Sequence, residues 1–128
     1  MKPPDESLAT ALLDSRARWR DLALLGADLL FETDEEGRLT FVAPDRPLGH
    51  AAESLLGRRL SALLAEPPAR DPFAGGTPPR GLRLALRAGD GAIAWLEFAA
   101  MRAGDGLRGI ARDVTAEERQ AEAAARTL

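Results

Sequence analysis

The stretch Gly109-Ile110-Ala111-Arg112-Asp113-Val114-Thr115-Ala116-Glu117-Glu118-Arg119 joins a strand pattern directly to a helix pattern. Its first half has small and branched apolar residues followed by a polar pair, which is typical of a β-strand. Its second half has the spacing of a capping box, in which the hydroxyl of Thr115 accepts from the amide of Glu118 and the glutamate reaches back to the amide of Thr115. We therefore predict a strand that passes into an outgoing helix with almost no loop, so that a shift of the strand moves the helix.

Composition limits the classes of protein to which the chain can belong. Its 128 residues suggest one domain, and 45% hydrophobic residues with a net charge of −3 indicate a globular protein. The weak acidity does not support nucleic-acid binding, no apolar run is long enough to span a bilayer, and no signal peptide is recognisable. The absence of cysteine excludes disulfides and thiol chemistry. We expect a cytoplasmic location.

Periodicity predicts the order helix, two strands, short helices, three strands, helix, which is an α+β arrangement. The first helix is amphipathic and has to cover either its own sheet or a second copy of the chain. The segment 67–81 holds five prolines and three glycines and is predicted to be a mobile loop. The predicted bounds are 6–25 for the first helix, 28–33 and 38–43 for the first two strands, 51–56 and 60–65 for the short helices, and 82–87, 92–102 and 107–114 for the last strands.

The element order and four local sequences resemble a PAS domain, the sensory module of bacterial signalling proteins. These sequences are Asp34-Glu35-Glu36-Gly37, Leu55-Leu56-Gly57-Arg58, Gly91-Ala92-Ile93-Ala94-Trp95-Leu96-Glu97 and the ending Asp113-Val114-Thr115. The resemblance covers about residues 26–115, flanked by an N-terminal helix in 1–25 and a C-terminal linker helix in 116–128. It implies a five-stranded antiparallel sheet with short helices on one face and a signalling helix at the C-terminal end. The chain departs from the family pattern at Ala43-Pro44, where Asn is common, and in 67–81, which replaces most of a helix.

Alternation along the predicted strands places one set of side chains toward the helices. The candidates for a ligand pocket in this set are Phe31, Thr33, Leu84, Ala94, Leu96, Phe98 and Ala111. The resemblance implies that this inward face lines a cavity for a small molecule. Its mostly aliphatic composition favours an ordinary filled core instead, with Thr33 as the one clear polar candidate. We expect no cofactor, and the sequence does not identify a ligand.

The outward face is too apolar to lie comfortably in water. The residues concerned are Leu12, Trp19 and Leu22 of the first helix and Ile93, Trp95 and Ile110 of the sheet. Either the helix covers its own sheet or two copies cover each other, and the resemblance implies a homodimer. Arg and Glu on neighbouring strands of this face could also pair across the sheet.

The junction of Asp113, Thr115 and Glu118 is the candidate site of signal coupling. Asp113 either ends the strand or fixes the junction by a charge-assisted hydrogen bond, and the resemblance favours the second. The helix after it is Ala- and Glu-rich and would continue into an output domain of a longer parent chain, of the histidine kinase or diguanylate cyclase type.

Other chemistry is weakly supported. The sequence Gly104-Asp105-Gly106-Leu107-Arg108-Gly109 matches a dinucleotide fingerprint, but a strand follows it instead of a helix, so we predict a hairpin. His50 is the only histidine, which leaves no catalytic triad and no metal site, and we expect no enzyme. The leading hypothesis is a dimeric sensor or relay domain. A ligand-free dimerisation or spacer module is the alternative, and a haem- or flavin-based redox or gas sensor is the third.

Overall fold

A computed structural model describes residues 4–127, with side chains from residue 7 onward. Three strands follow the short helical segments, and the last of them leads directly into the final helix. The elements in chain order are α1 (Pro4–Ala23), β1 (Leu29–Thr33), β2 (Leu39–Ala43), a 3-10 turn (Pro47–Gly49), α2 (Ala52–Leu55), a second 3-10 turn (Leu60–Leu63), β3 (Arg80–Arg87), β4 (Ile93–Ala103), β5 (Gly106–Asp113) and α3 (Thr115–Thr127).

All five strands form one antiparallel sheet in the order β2-β1-β5-β4-β3. The predicted α+β architecture is therefore confirmed. Alternation also placed the inward residues on one face, since Leu84 lies opposite Leu96 and Leu86 opposite Ala94 in the β3–β4 register. The last strand, β5, lies between β1 and β4. It therefore pairs both with the first strand of the chain and with the strand that precedes it.

The inner face of the sheet is filled by three phenylalanine rings. Phe31 and Phe98 lie on strands, whereas Phe73 comes from the proline- and glycine-rich segment, and the ring centroids are 5.0 to 5.9 Å apart in tilted, edge-on pairs. Asp71 holds this segment in place, because its carboxylate accepts from the hydroxyl of Ser61 at 2.8 Å and from the amide of Phe73 at 2.9 Å. The segment is a loop, as predicted, but it supplies a core residue that is only 1% exposed.

The glycines of the apparent dinucleotide motif serve the β4–β5 hairpin. Gly104 has a φ of +58° in the turn. A Cβ on Gly106 would lie 1.7 Å from the carbonyl oxygen of Thr33, and one on Gly109 would lie 2.5 Å from the ring of Phe31. The predicted hairpin is confirmed, and close packing explains two of its glycines.

The C-terminal half of helix α1 packs on the outer face at β1 and β2. Trp19 packs on Phe41 with centroids 6.2 Å apart, and Ala23 and Leu24 pack beside Leu30. Arg16 also pairs with Glu32 on β1 at 2.5 Å. No helix within residues 4–127 combines the length and the apolar character needed to cross a membrane.

Leu22 does not help α1 to cover the sheet of its own chain, because it is 70% exposed. Its place in a dimer contact stays a prediction. The face of α1 that meets the sheet is the one that carries Arg16, Trp19 and Ala23. The ion pair of Arg16 and the aromatic contact of Trp19 therefore turn toward the sheet a face of α1 that does not include Leu22.

Candidate functional site

The passage from β5 into α3 takes one residue, Val114, which is fully buried. Its amide donates to the carbonyl of Trp95 at 2.8 Å, so the chain is still bonded to β4 at this point. The next residue continues the contact, because the amide of Trp95 donates to the hydroxyl of Thr115 at 3.0 Å. The first residue of the helix is thus attached to β4 through its side chain.

The predicted capping box is wrong. Thr115 is the first helical residue and not the residue before the helix, and its hydroxyl faces Trp95 instead of the amide of Glu118. The amide of Glu118 makes the first helical bond, to the carbonyl of Val114 at 3.0 Å. The amide of Thr115 has no partner within the helix and donates to the carboxylate of Asp113 at 2.9 Å. Asp113 therefore does more than end the strand, because it accepts a hydrogen bond across the junction.

The carboxylate of Glu118 is held by β3 and does not reach back along its own helix. Arg83 donates to Glu118 at 3.1 Å and to Glu97 on β4 at 2.8 Å. Arg112 on β5 lies 3.6 Å from the other oxygen of Glu97. The expected cross-strand pairing of Arg and Glu is confirmed, and it extends to the helix.

Hydrogen bonding to Arg83 holds the pKa of Glu97 below its ordinary value of 4.5. The pKa of Arg83 is raised in turn, first by the hydrogen bond to Glu97 and then by the one to Glu118. Both groups therefore remain charged at neutral pH. Exposed ion pairs of this kind contribute little to stability, so their value here is that they orient the first turn of α3.

Sequence reasoning did not assign Arg83 to the junction. Its place opposite Glu97 could be read from strand alternation once the register is known. Its contact with Glu118 could not, because the two residues are 35 positions apart and only the assembled sheet brings them together.

The pocket candidates of the inner face form a packed core. Phe31, Thr33, Leu96, Phe98 and Ala111 are buried, and Leu84 and Ala94 are half-buried. The hydroxyl of Thr33 accepts from the amide of Leu107 at 3.2 Å, so the polar candidate already has a partner.

Three cavities of the described residues open at the surface, and the third borders the core, at Leu64 and Leu84. A groove of about 570 Å³ runs between α1 and the outer face beside Leu12, Trp19 and Arg108, and one of about 280 Å³ continues past Ile110. A third, of about 510 Å³, lies at the β3 edge and is lined by Leu84, Ile93 and Trp95 among others. Of the seven residues predicted to line a ligand pocket, only Leu84 borders one of these three cavities.

The residues predicted for the dimer or helix-cover face separate into two groups. Trp19 contacts its own sheet, and it borders the same groove as Ile110, which is 40% exposed. Ile93 and Trp95 border the cavity at the β3 edge instead. Leu12 is 62% exposed on α1. The structure thus brings Leu12, Trp19 and Ile110 to one side and places Ile93 and Trp95 on another.

His50 does not face the inner core. Its Nε2 lies 2.9 Å from the backbone carbonyl of Arg87, between the first 3-10 turn and α2. Within the described part of the chain, no group of three or more His, Cys, Asp or Glu side chains is placed to hold a metal ion.

The crystal structure of the PAS domain of an HTR-like protein from Haloarcula marismortui is similar to this chain. The TM-score is 0.63 and the sequence identity 19%, and the match covers 84% of this chain and 98% of that chain. The sequence matches no protein-family model and no curated protein. At this identity the likeness establishes the fold, and the predicted PAS-like fold is confirmed.

Proposed function

We propose that this chain, which has the PAS fold, is a cytoplasmic sensor or signal-relay module that passes a shift of its sheet to α3. The observation that carries the proposal is the double attachment of the first helical turn. Thr115 is bonded to β4, and Glu118 is bonded to Arg83 on β3. A displacement of either strand therefore acts on the helix directly.

The nature of α3 supports this assignment. None of its residues from Thr115 to Thr127 is buried, so packing does not support the helix along its length. A helix of about this length is marginal in water on its own. The order of α3 therefore depends on the junction, which is what a relay element requires.

In this proposal residues 26–115 form the PAS unit, 1–25 an N-terminal flanking helix and 116–128 a linker helix, of which residues 1–3 and 128 lie outside the described residues. The linker would lead to an output domain in a longer chain, of the histidine kinase or diguanylate cyclase type. The role is binding and relay, not catalysis. A small-molecule or partner signal would act on the sheet.

Loss of the Thr115 hydroxyl tests the relay. In Thr115→Val the amide of Trp95 loses its acceptor, and we expect the amides of residues 118–122 to exchange about tenfold faster, equivalent to about 1.4 kcal/mol. Hydrogen exchange followed by mass spectrometry measures this effect. Thr40→Val is the matched control, since Thr40 is exposed on β2. Unchanged exchange of α3 in Thr115→Val would show that the helix does not depend on this contact.

Self-association is the second part of the proposal. The exposed leucines of α1 and the groove beside Ile110 form an apolar surface that a second copy of α1 would cover. We expect Leu12→Glu to raise the dimer dissociation constant about tenfold or more, because it replaces an exposed leucine that the proposed dimer would bury with a charged side chain. Sedimentation velocity measures the constant, with Leu56→Glu as the control on a residue that is 46% exposed beside α2. A monomer at all concentrations in the unmodified chain would contradict the dimer.

The filled inner face favours a ligand-free relay or spacer as the second candidate function. Phe31, Phe73 and Phe98 occupy the space between the sheet and the helical layer, and Thr33 is already bonded. In that case the signal enters through α1 or the dimer contact, and the junction acts in the same way.

A further inference from the structure

Asp28 lies in the linker between α1 and β1, and it touches the end of β5. Its amide donates to the carbonyl of Ala111 at 2.9 Å, and its Oδ2 accepts from the amide of Asp113 at 2.7 Å. The preceding residue, Ala27, is buried, and its amide donates to the carbonyl of Ala23 at 3.0 Å, which continues the last turn of α1. The linker is therefore bonded on one side to α1 and on the other to the junction.

We infer that Asp28 is a positioning residue that ties the beginning of α3 to the end of α1, so that the two terminal helices are coupled without involvement of the inner face. The inference rests on the proposed relay function and names a second route into the same junction. Two carboxylates act in series. Asp28 accepts from the amide of Asp113, and Asp113 accepts from the amide of Thr115 at 2.9 Å.

The backbone register explains why a side chain is needed at this point. The pairing of β1 with β5 begins at Leu29, the first residue of β1, whose partner is Ala111. Continuation of the ladder would bring Asp113 opposite Ala27, but Ala27 already belongs to the last turn of α1, since its amide donates to the carbonyl of Ala23. The linker backbone is bonded to β5 through the amide of Asp28 and leaves the sheet at Ala27, so the carboxylate of Asp28 accepts from the amide of Asp113. Hydrogen bonds to an ionised acceptor are roughly twice as strong as neutral ones, which suits a contact at the surface.

The contact of Asp28 reaches the junction from a different part of the chain than the strand contacts do. Thr115 and Glu118 are held by β4 and β3, which come late in the chain, whereas Asp28 belongs to the entry segment. A movement of α1 can thus reach α3 through the short path Ala23, Ala27, Asp28, Asp113 and Thr115. This path avoids the phenylalanine core.

The test is hydrogen exchange of the full chain in Asp28→Ala, Asp28→Asn and the control Asp21→Ala, which removes an exposed carboxylate of α1. We expect Asp28→Ala to speed exchange of the Asp113 amide and of residues 118–122 about tenfold. Asp28→Asn should keep most of the protection against exchange that Asp28→Ala loses, because the asparagine side-chain oxygen still accepts a hydrogen bond. Asp21→Ala should leave α3 unchanged.

A second readout separates coupling from simple support. Trp19→Ala weakens the contact of α1 with the sheet. As a single variant it should speed the hydrogen exchange of α3, but when combined with Asp28→Ala it should add little to the effect of Asp28→Ala alone. Fully additive effects would overturn the inference, and so would equal acceleration of every amide in Asp28→Ala or a failure of Asp28→Asn to restore protection. If Thr115→Val loosens α3 while Asp28→Ala does not, this inference fails and the proposed junction stands. If neither variant loosens it, both fail.

Discussion

Replacement of Phe73 by alanine should lower the free energy of unfolding by about 4 kcal/mol, within the range of about 3–5 kcal/mol for buried aromatic residues. The ring of Phe73 is 1% exposed and contacts the rings of both Phe31 and Phe98. Its removal leaves a void between the sheet and the loop, and the neighbouring strands cannot move to close it without loss of their pairing. Urea denaturation followed by tryptophan fluorescence or circular dichroism measures the change.

Two further variants make this result interpretable. Phe73→Leu keeps most of the apolar volume and should cost clearly less, which guards against a Phe73→Ala chain too unstable to study. Thr77→Ala changes an exposed residue of the same loop and should stay within about 0.5 kcal/mol of the unmodified chain. A cost below about 1 kcal/mol for Phe73→Ala would mean that the loop does not belong to the core in solution.

Replacement of Gly106 by alanine should lower the free energy of unfolding by about 3 kcal/mol. An added Cβ would lie 1.7 Å from the carbonyl oxygen of Thr33, which belongs to the backbone and has no rotamer to adopt. The hairpin end would have to move away from β1, and the hydrogen bond from the amide of Leu107 to Thr33 would stretch. The same denaturation experiment applies.

Gly26→Ala is the matched control for Gly106→Ala. A Cβ on Gly26 would meet nothing within 4 Å, and the residue has no positive φ. We expect its effect to stay within about 0.5 kcal/mol. A Gly106→Ala chain as stable as this control would show that the hairpin and β1 are not in close contact.

Strand alternation and turn residues predicted the strands and the faces of their side chains, and the PAS resemblance implied one antiparallel sheet, but the strand order β2-β1-β5-β4-β3 was not predicted. The inward positions Leu84, Leu86, Leu96 and Phe98 share a face as alternation requires, and the hairpin glycines lie where the turn was expected. The passage from β5 to α3 without a loop was also predictable, because the strand and helix patterns adjoin in the sequence.

The details of the junction were not predictable from local spacing. A threonine followed three residues later by a glutamate looks the same whether the threonine precedes the helix or begins it. The choice is made by the amide of Trp95, which is 20 positions away, near the beginning of β4, and donates to the hydroxyl of Thr115. Asp28 and Arg83 were missed for the same reason, since each acts through a contact that only the assembled sheet creates.

Phe73 illustrates a different difficulty. Proline and glycine indicate a loop, and a single aromatic residue in a loop has no periodic partner that would identify it as buried. The available signal was the presence of one large apolar side chain among small and polar residues. Leu22 of α1 shows the converse, because helical periodicity grouped it with Trp19, yet Trp19 contacts the sheet and Leu22 is exposed.

The direct passage from β5 into α3 has a geometric consequence for any domain joined to this helix. Since no hinge separates strand and helix, the azimuth of that domain about the helix axis is set by the number of residues between them. Each residue inserted or deleted would turn the domain by about 100° and translate it by about 1.5 Å. The length of the connection would thereby set the orientation of the attached domain, and similar orientations would return at intervals of about seven residues.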